Sequence, residues 1–189
     1  MTRRQQKKFR SRPKSLRSRQ RNSGPTLPKA VEEYFSLPVK FREDYDKTIG
    51  VISEVRSRRR SLTGASQEFG ISHRLVKQIG RSVLRKSANG RYVATNNDHL
   101  LRVLVILTVN GLQTIGVNDF RQASLIGNYW AAVQRYLLIG DASRLEPFEG
   151  VKITDVNGQE YALLTDREEL RRLGYAGAVS FESVYARSA

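Results

Sequence analysis

Gly70 constrains this chain most, because the residues on either side of it can be buried together only if the backbone turns sharply there. From Leu62 to Ile79 the sequence reads LTGASQEFGISHRLVKQI. Ala65, Phe69, Ile71, Val76 and Ile79 fall where two short packed helices must place apolar side chains. Ser66 is small enough for the second helix to cross close beside it. Glycine reaches the positive φ of such a turn without a Cβ penalty. Ser72 stands where a cap for the second helix is needed, which leaves His73, Arg74, Lys77 and Gln78 on or near its outer face.

Upstream, Phe41, Tyr45, Ile49, Ile52 and Val55 recur at helical spacing and predict a helix over 41–57. Helices over 61–69 and 72–86 complete a tri-helical unit. The first of the three ends in Arg56, Arg58, Arg59 and Arg60. A helix C-terminus favours cations through its dipole alone. Four arginines in five residues exceed that need, and phosphate clamping is the preferred reading. Lys86 to Gly90 break the third helix, with Asn89–Gly90 as the turn. Arg91, Tyr92 and Val93 then start a strand that forms a short wing.

Over residues 61–80 the pattern resembles the helix-turn-helix of prokaryotic-type DNA-binding proteins. The resemblance implies that the helix from Ser72 enters the major groove. Ser72, His73, Arg74, Lys77 and Gln78 are then the candidate base or backbone contacts. Arg reads guanine and Gln reads adenine, each bidentately, while Lys77 touches phosphate. A non-enzymatic, sequence-specific DNA-binding protein, most simply a transcriptional regulator, is the function implied. Such proteins commonly act as dimers, which assigns dimerisation or partner binding to the C-terminal part.

Charge agrees with a polyanionic partner. The chain holds 33 Lys and Arg against 18 Asp and Glu, a formal net charge of +15. Residues 1–30 contribute 11 of the cations and no acid. With Pro13, Pro25 and Pro28 and few apolar groups, they read as a disordered basic arm. Arg3, Arg4, Lys7, Lys8, Arg10 and Arg12 are its candidate phosphate contacts. Such an arm also suits an RNA-binding or ribosome-associated protein. A third reading is a mobile-element accessory factor that recruits a recombinase through residues 96–189. The Arg- and Ser-rich start imitates a mitochondrial presequence, but Phe9, Leu16 and Leu27 support an amphipathic face poorly.

The C-terminal part differs in kind. Leu101 to Val109 and Leu112 to Val117 flank Asn110–Gly111, and Val151 to Val156 and Gln159 to Leu164 flank Asn157–Gly158. Asn-Gly between β-branched runs is the strongest short-range hairpin signal. Between the hairpins a helix is predicted over Phe120–Ile139, capped by Asp119 and stopped by Gly140. Ala123, Ile126, Trp130, Val133 and Leu137 line one face of it. Leu138 and Ile139 extend apolar character beyond that face, toward a domain centre or a subunit contact. Thr165 and Glu168 form a capping-box pattern for a last helix through Leu173, with Gly174 as stop. Ser180, Phe181 and Tyr185 suggest a final short turn. The fold class is therefore α+β. It comprises a basic arm (1–30), a three-helix helix-turn-helix domain (31–95) and an α+β domain (96–189) with two hairpins packed on helices.

Catalysis finds little support. There is no cysteine, which excludes disulfides and thiolate–metal sites. His73 and His99 lack metal-ligand spacing, and neither phosphate-loop nor dinucleotide glycine motifs occur. The pairs Glu32–Glu33, Glu43–Asp44 and Glu168–Glu169 sit near helix starts, where the dipole favours them. Ser124 has no histidine in sight. Tyr129, Trp130 and Tyr136 imitate a base-stacking platform, although their spacing fits core packing better. No catalytic residue, metal or cofactor is therefore expected. No apolar run approaches the ~20 residues of a membrane span, and the expected location is the cytoplasm, in association with the nucleoid.

Overall fold

Leu37 and Pro38 separate two helices, α1 (Val31–Ser36) and α2 (Val39–Arg56), in a computed structural model that describes residues 26–95 and 99–175. The short α1 has no counterpart in the helical spacing read from the sequence. Helix α2 buries Tyr45, Thr48, Val51, Ile52 and Val55. The buried Thr48 hydroxyl donates to the Asp44 carbonyl at 2.8 Å, so that hydroxyl is not stranded.

Helix α3 (Leu62–Glu68) starts on Ser61, whose Oγ accepts from the Gly64 N–H. Helix α4 (His73–Ile79) starts on Ser72, whose Oγ accepts from the Arg74 N–H. Between them Gly70 has φ +61°. The Ile71 N–H donates to the Ser66 carbonyl and the Gly70 N–H to that of Gln67, which is a Schellman ending. The Phe69 ring then lies on Gly50 of α2, where an added Cβ would come within 2.3 Å of it.

Helix α4 is shorter than the predicted span over 72–86. Beyond Gly80 the chain turns into β1 (Leu84–Lys86), which pairs antiparallel with β2 (Tyr92–Ala94) in the register Leu84↔Ala94 to Lys86↔Tyr92. Val76, Ile79 and Val83 imitate one continued helical face, yet Val83 reaches the same core from the turn after Gly80. A Cβ at Gly80 would sit 2.9 Å from Ile52 Cδ1 and 3.0 Å from the Val76 carbonyl oxygen. A strand therefore forms where one was expected, and its partner comes from residues expected to be helical. Its loop is closed by Gly90 at φ +81°, by Ser87 Oγ donating to the Arg91 carbonyl at 2.8 Å, and by Arg91 N–H donating to Asn89 Oδ1.

The C-terminal half is built on β3 (Arg102–Thr108) and β4 (Gly111–Val117), antiparallel in the register Thr108↔Gly111 to Arg102↔Val117. Across them lies α5 (Phe120–Ile139), with the predicted bounds. Asp119 Oδ1 accepts from the Arg121 N–H, and Gly140 ends the helix at φ +75°. The expected stripe buries Ile126, Trp130 and Val133, joined by Tyr129 and Tyr136. Their polar tips are satisfied internally. Tyr129 OH donates to the Leu164 carbonyl (2.7 Å), Trp130 Nε1–H to that of Val105 (2.7 Å) and Tyr136 OH to that of Arg167 (3.1 Å). Burial also pushes the Tyr129 phenol well above the ordinary tyrosine range.

Strands β5 (Lys152–Thr154) and β6 (Glu160–Ala162) form the second expected hairpin, and the β1–β2 pair is the one beyond those expected. The Val156 N–H donates to Gly116 and the Leu164 N–H to Leu107, which fastens this hairpin to the β3–β4 pair. Helix α6 (Arg167–Tyr175) is capped by Asp166, whose Oδ1 accepts from the Glu169 N–H, rather than by Thr165. It runs on through Gly174. The turn expected at Ser180–Tyr185 lies outside the described residues.

Residues on either side of position 96 pack together. Leu100 joins the core of Val51, Ile52, Ala65 and Val76, and Leu101 clusters with Tyr34, Tyr45 and Ile79. The buried Tyr45 OH donates to the Leu101 carbonyl at 2.8 Å. At the other end, Leu27 and Pro28, within the span read as arm, reach the helical core: Leu27 packs against it and Pro28 is buried. Among the described residues no helix is long and apolar enough to cross a membrane.

Candidate nucleic-acid interface

Charge along the N-terminal half gathers in one stretch. Residues 56–91 hold ten Lys and Arg against one acid, Glu68, and no acid stands between Glu68 and Asp98. The fold exposes most of these cations. On α4, Ser72, His73, Arg74 and Gln78 are exposed, with the Ser72 hydroxyl engaged in capping. Lys77 is placed differently: it is half-buried, with its ammonium 4.7 Å from the centre of the Tyr92 ring. That cation–π contact fastens α4 to the hairpin.

The arginines after α2 also divide. Arg56, expected to clamp phosphate, turns inward instead. Its Nη2 donates to the Thr95 carbonyl at 2.7 Å, and its guanidinium stands 4.3 Å from the centre of the Phe120 ring. It thereby ties α2 to the start of α5. Arg58, Arg59 and Arg60 are exposed. Arg59 pairs with Glu54 at 3.6 Å and Arg60 with Glu68 at 2.6 Å. Arg58 makes no ion pair among the described residues and adopts φ +57°, the one positive φ at a non-glycine residue there.

Four exposed cations were not among the contacts read from the sequence: Arg81, Arg85, Lys86 and Arg91. Arg81 follows α4, Arg85 and Lys86 lie on β1, and Arg91 lies in the hairpin loop. Taking 72–86 as one helix hid the first three by spreading them round a cylinder. The acid-free run from Phe69 to Asn97 was the available signal. Arg3, Arg4, Lys7, Lys8, Arg10 and Arg12 lie outside the described residues.

Away from this surface, a pocket of about 480 Å³ opens between the halves, with Asp46, Gly50, Phe69, Arg102, Phe120 and Ser124 among its walls. Burial raises the Asp46 pKa above the ordinary carboxylate value, against the opposing effects of the Tyr34 OH donating to it at 2.5 Å and of nearby Arg42. Arg102 is itself buried, with Nη1 donating to the Leu100 carbonyl at 2.9 Å. His73 and His99 are exposed, and no three His, Cys, Asp or Glu among the described residues gather as a metal site.

Comparison of the chain with protein-family models, curated proteins and solved structures gave no match.

Proposed function

We propose that the chain is a sequence-specific DNA-binding protein, a transcriptional regulator. In this reading α3, the Gly70 turn and α4 act as a helix-turn-helix, with the β1–β2 hairpin as its wing. One observation carries it. His73, Arg74 and Gln78 stand exposed on one short helix, inside a stretch of chain that holds no acid. Arg74 and Gln78 have the planar, bidentate donor–acceptor geometry that distinguishes guanine and adenine in the major groove. Arg81, Arg85 and Lys86 supply phosphate contacts that position without specifying. The arm cations from Arg3 to Arg12 add sequence-independent affinity. Lys77 supports the hairpin instead of touching DNA, and Arg56 braces the two halves.

A homodimer through the C-terminal half belongs to the same reading. Leu138 and Ile139, 70% and 67% exposed at the end of α5, are the apolar groups available for it. Cytoplasmic, nucleoid-associated residence follows from the proposed partner.

The test is selection from random duplex DNA and structured RNA pools at two salt concentrations, followed by sequencing. A short duplex motif should be enriched. Arg74→Ala should weaken binding to that motif by ~1–3 kcal/mol and relax preference at one position. Preference for RNA, or equal binding to every duplex, overturns sequence-specific DNA binding.

A further inference from the structure

Two Schellman endings in the N-terminal half invite comparison. At the end of α3 the left-handed position is Gly70, as the motif prefers. At the end of α2 the same position is Arg58. There the Arg59 N–H donates to the Glu54 carbonyl and the Arg58 N–H to that of Val55, each at 3.2 Å. An arginine in left-handed backbone is strained relative to glycine, and such strain gathers where a side chain is needed in one place. Nothing among the described residues accounts for that need, since Arg58 is exposed and has no ion pair there.

Arg58 opens onto a cleft of about 950 Å³ between the α2–α3 connection and the β1–β2 hairpin. Arg59, Arg60, Thr63, Asn89 and Arg91 also line it, and none of its walls is acidic. No residue of α4 contributes, so the cleft is separate from the helix proposed to read bases. Arg59 and Arg60 have carboxylate partners, Glu54 and Glu68, whereas Arg91 like Arg58 has none among the described residues. Asn89 Oδ1 accepts from the Arg91 N–H, which leaves the Asn89 amide NH₂ as a further donor at the rim.

We infer that this cleft holds a phosphodiester backbone, clamped between Arg58 on one wall and Arg91 on the other, whatever the base sequence. The inference rests on the reading that the chain binds nucleic acid. It deepens that reading by adding a second, sequence-blind site beside α4. The Arg58 guanidinium is what the strained backbone there serves to present.

Arg58→Gly gives a test with two readouts of opposite sign. Thermal unfolding of the full chain should be unchanged or shifted upward, because glycine suits the left-handed position. Affinity should fall by a similar factor on the enriched duplex and on an unrelated duplex of equal length. The slope of log affinity against log salt should become shallower by roughly one, the value for one lost phosphate contact, and Arg91→Ala should do the same. Titrating an oligo(dT) strand of equal length identifies the source of the backbone. A slope change on duplexes alone assigns the cleft to the duplex, and one that extends to oligo(dT) assigns it to a single strand. Unchanged slopes on every probe overturn the clamp, and so does a lowered unfolding temperature in Arg58→Gly without loss of affinity. Arg74→Ala separates this failure from failure of the parent reading. If Arg74→Ala relaxes base preference at one position while the Arg58 and Arg91 slopes stay fixed, only the cleft is wrong. If no sequence is preferred but both slopes change, the cleft stands without the specific reader.

Discussion

Residues 31–95 hold 13 Lys and Arg against 7 Asp and Glu, whereas residues 99–175 hold 8 against 9. The two halves also handle polar groups differently. In the C-terminal half, Tyr129, Trp130 and Tyr136 carry their donors into the core and satisfy them on backbone carbonyls. In the N-terminal half the elements other than α2 are short, α3 and α4 are capped by serines, and the cations between residues 58 and 91 face outward with the exception of Lys77. A core fastened by buried hydrogen bonds holds one geometry. A thin shell of short helices and a small hairpin instead presents charge over much of its surface. The difference is one of charge and fastening: the near-neutral half holds its core with buried hydrogen bonds, and the basic half carries its cations on the surface.

The largest expected effect tests the first part of that difference. Trp130→Ala should cost roughly 3–5 kcal/mol of stability, as for other large-to-small changes in a packed core, and denaturant unfolding measures it. Nucleic-acid affinity of the folded fraction should stay near that of the unaltered chain. A folded Trp130→Ala protein that no longer binds would show that the α5 core reaches into binding, and the contrast would fail.

A smaller effect is expected at the seam. Tyr45→Phe removes the donor to the buried Leu101 carbonyl and should cost about 1–3 kcal/mol. Far-ultraviolet circular dichroism and Trp130 fluorescence should unfold together in the unaltered chain. In Tyr45→Phe the circular-dichroism transition should come first, because the sole tryptophan reports the C-terminal half alone. Coincident curves in both proteins would mean that the halves are one cooperative unit, held by Leu100 and Leu101 rather than by the hydroxyl.

The smallest effect is a pH dependence at Asp46. Its native pKa is raised by burial, so the folded chain holds this proton more tightly than the unfolded chain does. The contribution to stability is therefore greatest below the ordinary carboxylate pKa. It falls as pH rises toward the native value and is constant above that. Asp46→Asn should match the unaltered chain near pH 3 and melt at a higher temperature near pH 7. A lower melting temperature at pH 7 would show that the Tyr34 hydrogen bond and Arg42 outweigh burial.

Long elements with their own punctuation were legible in the sequence. Helix α5 has the bounds read from Asp119, Gly140 and one apolar stripe, and both Asn-Gly hairpins of the C-terminal half form where expected. Short elements were less so. Val76, Ile79 and Val83 continue a helical period by coincidence, and only Gly80 and the Asn89–Gly90 turn argue against it. The last helix offered two neighbouring caps, Thr165 and Asp166, and the choice depends on which oxygen reaches the Glu169 N–H. For the candidate site, local reading identified Ser72, His73, Arg74 and Gln78 as outward-facing. It could not place Arg56 or Lys77. Their partners, Phe120 and Tyr92, are brought to them by chain folding from well downstream.

The hairpin loop at Ser87–Arg91 has a consequence for kinetics. Internal hydrogen bonds already fix it: the Ser87 hydroxyl and the Arg91 N–H are engaged, the Ser87 N–H donates to the Arg91 carbonyl, and the Gly90 N–H donates to the Ser87 carbonyl. Fixing a backbone residue costs roughly 1–2 kcal/mol in conformational entropy, and here folding has met that cost before any partner arrives. In the proposed clamp, Arg91 would therefore meet the phosphodiester backbone on a preorganised loop. Its contribution should show as rapid capture and slow release, without the lag of a segment that must order on contact.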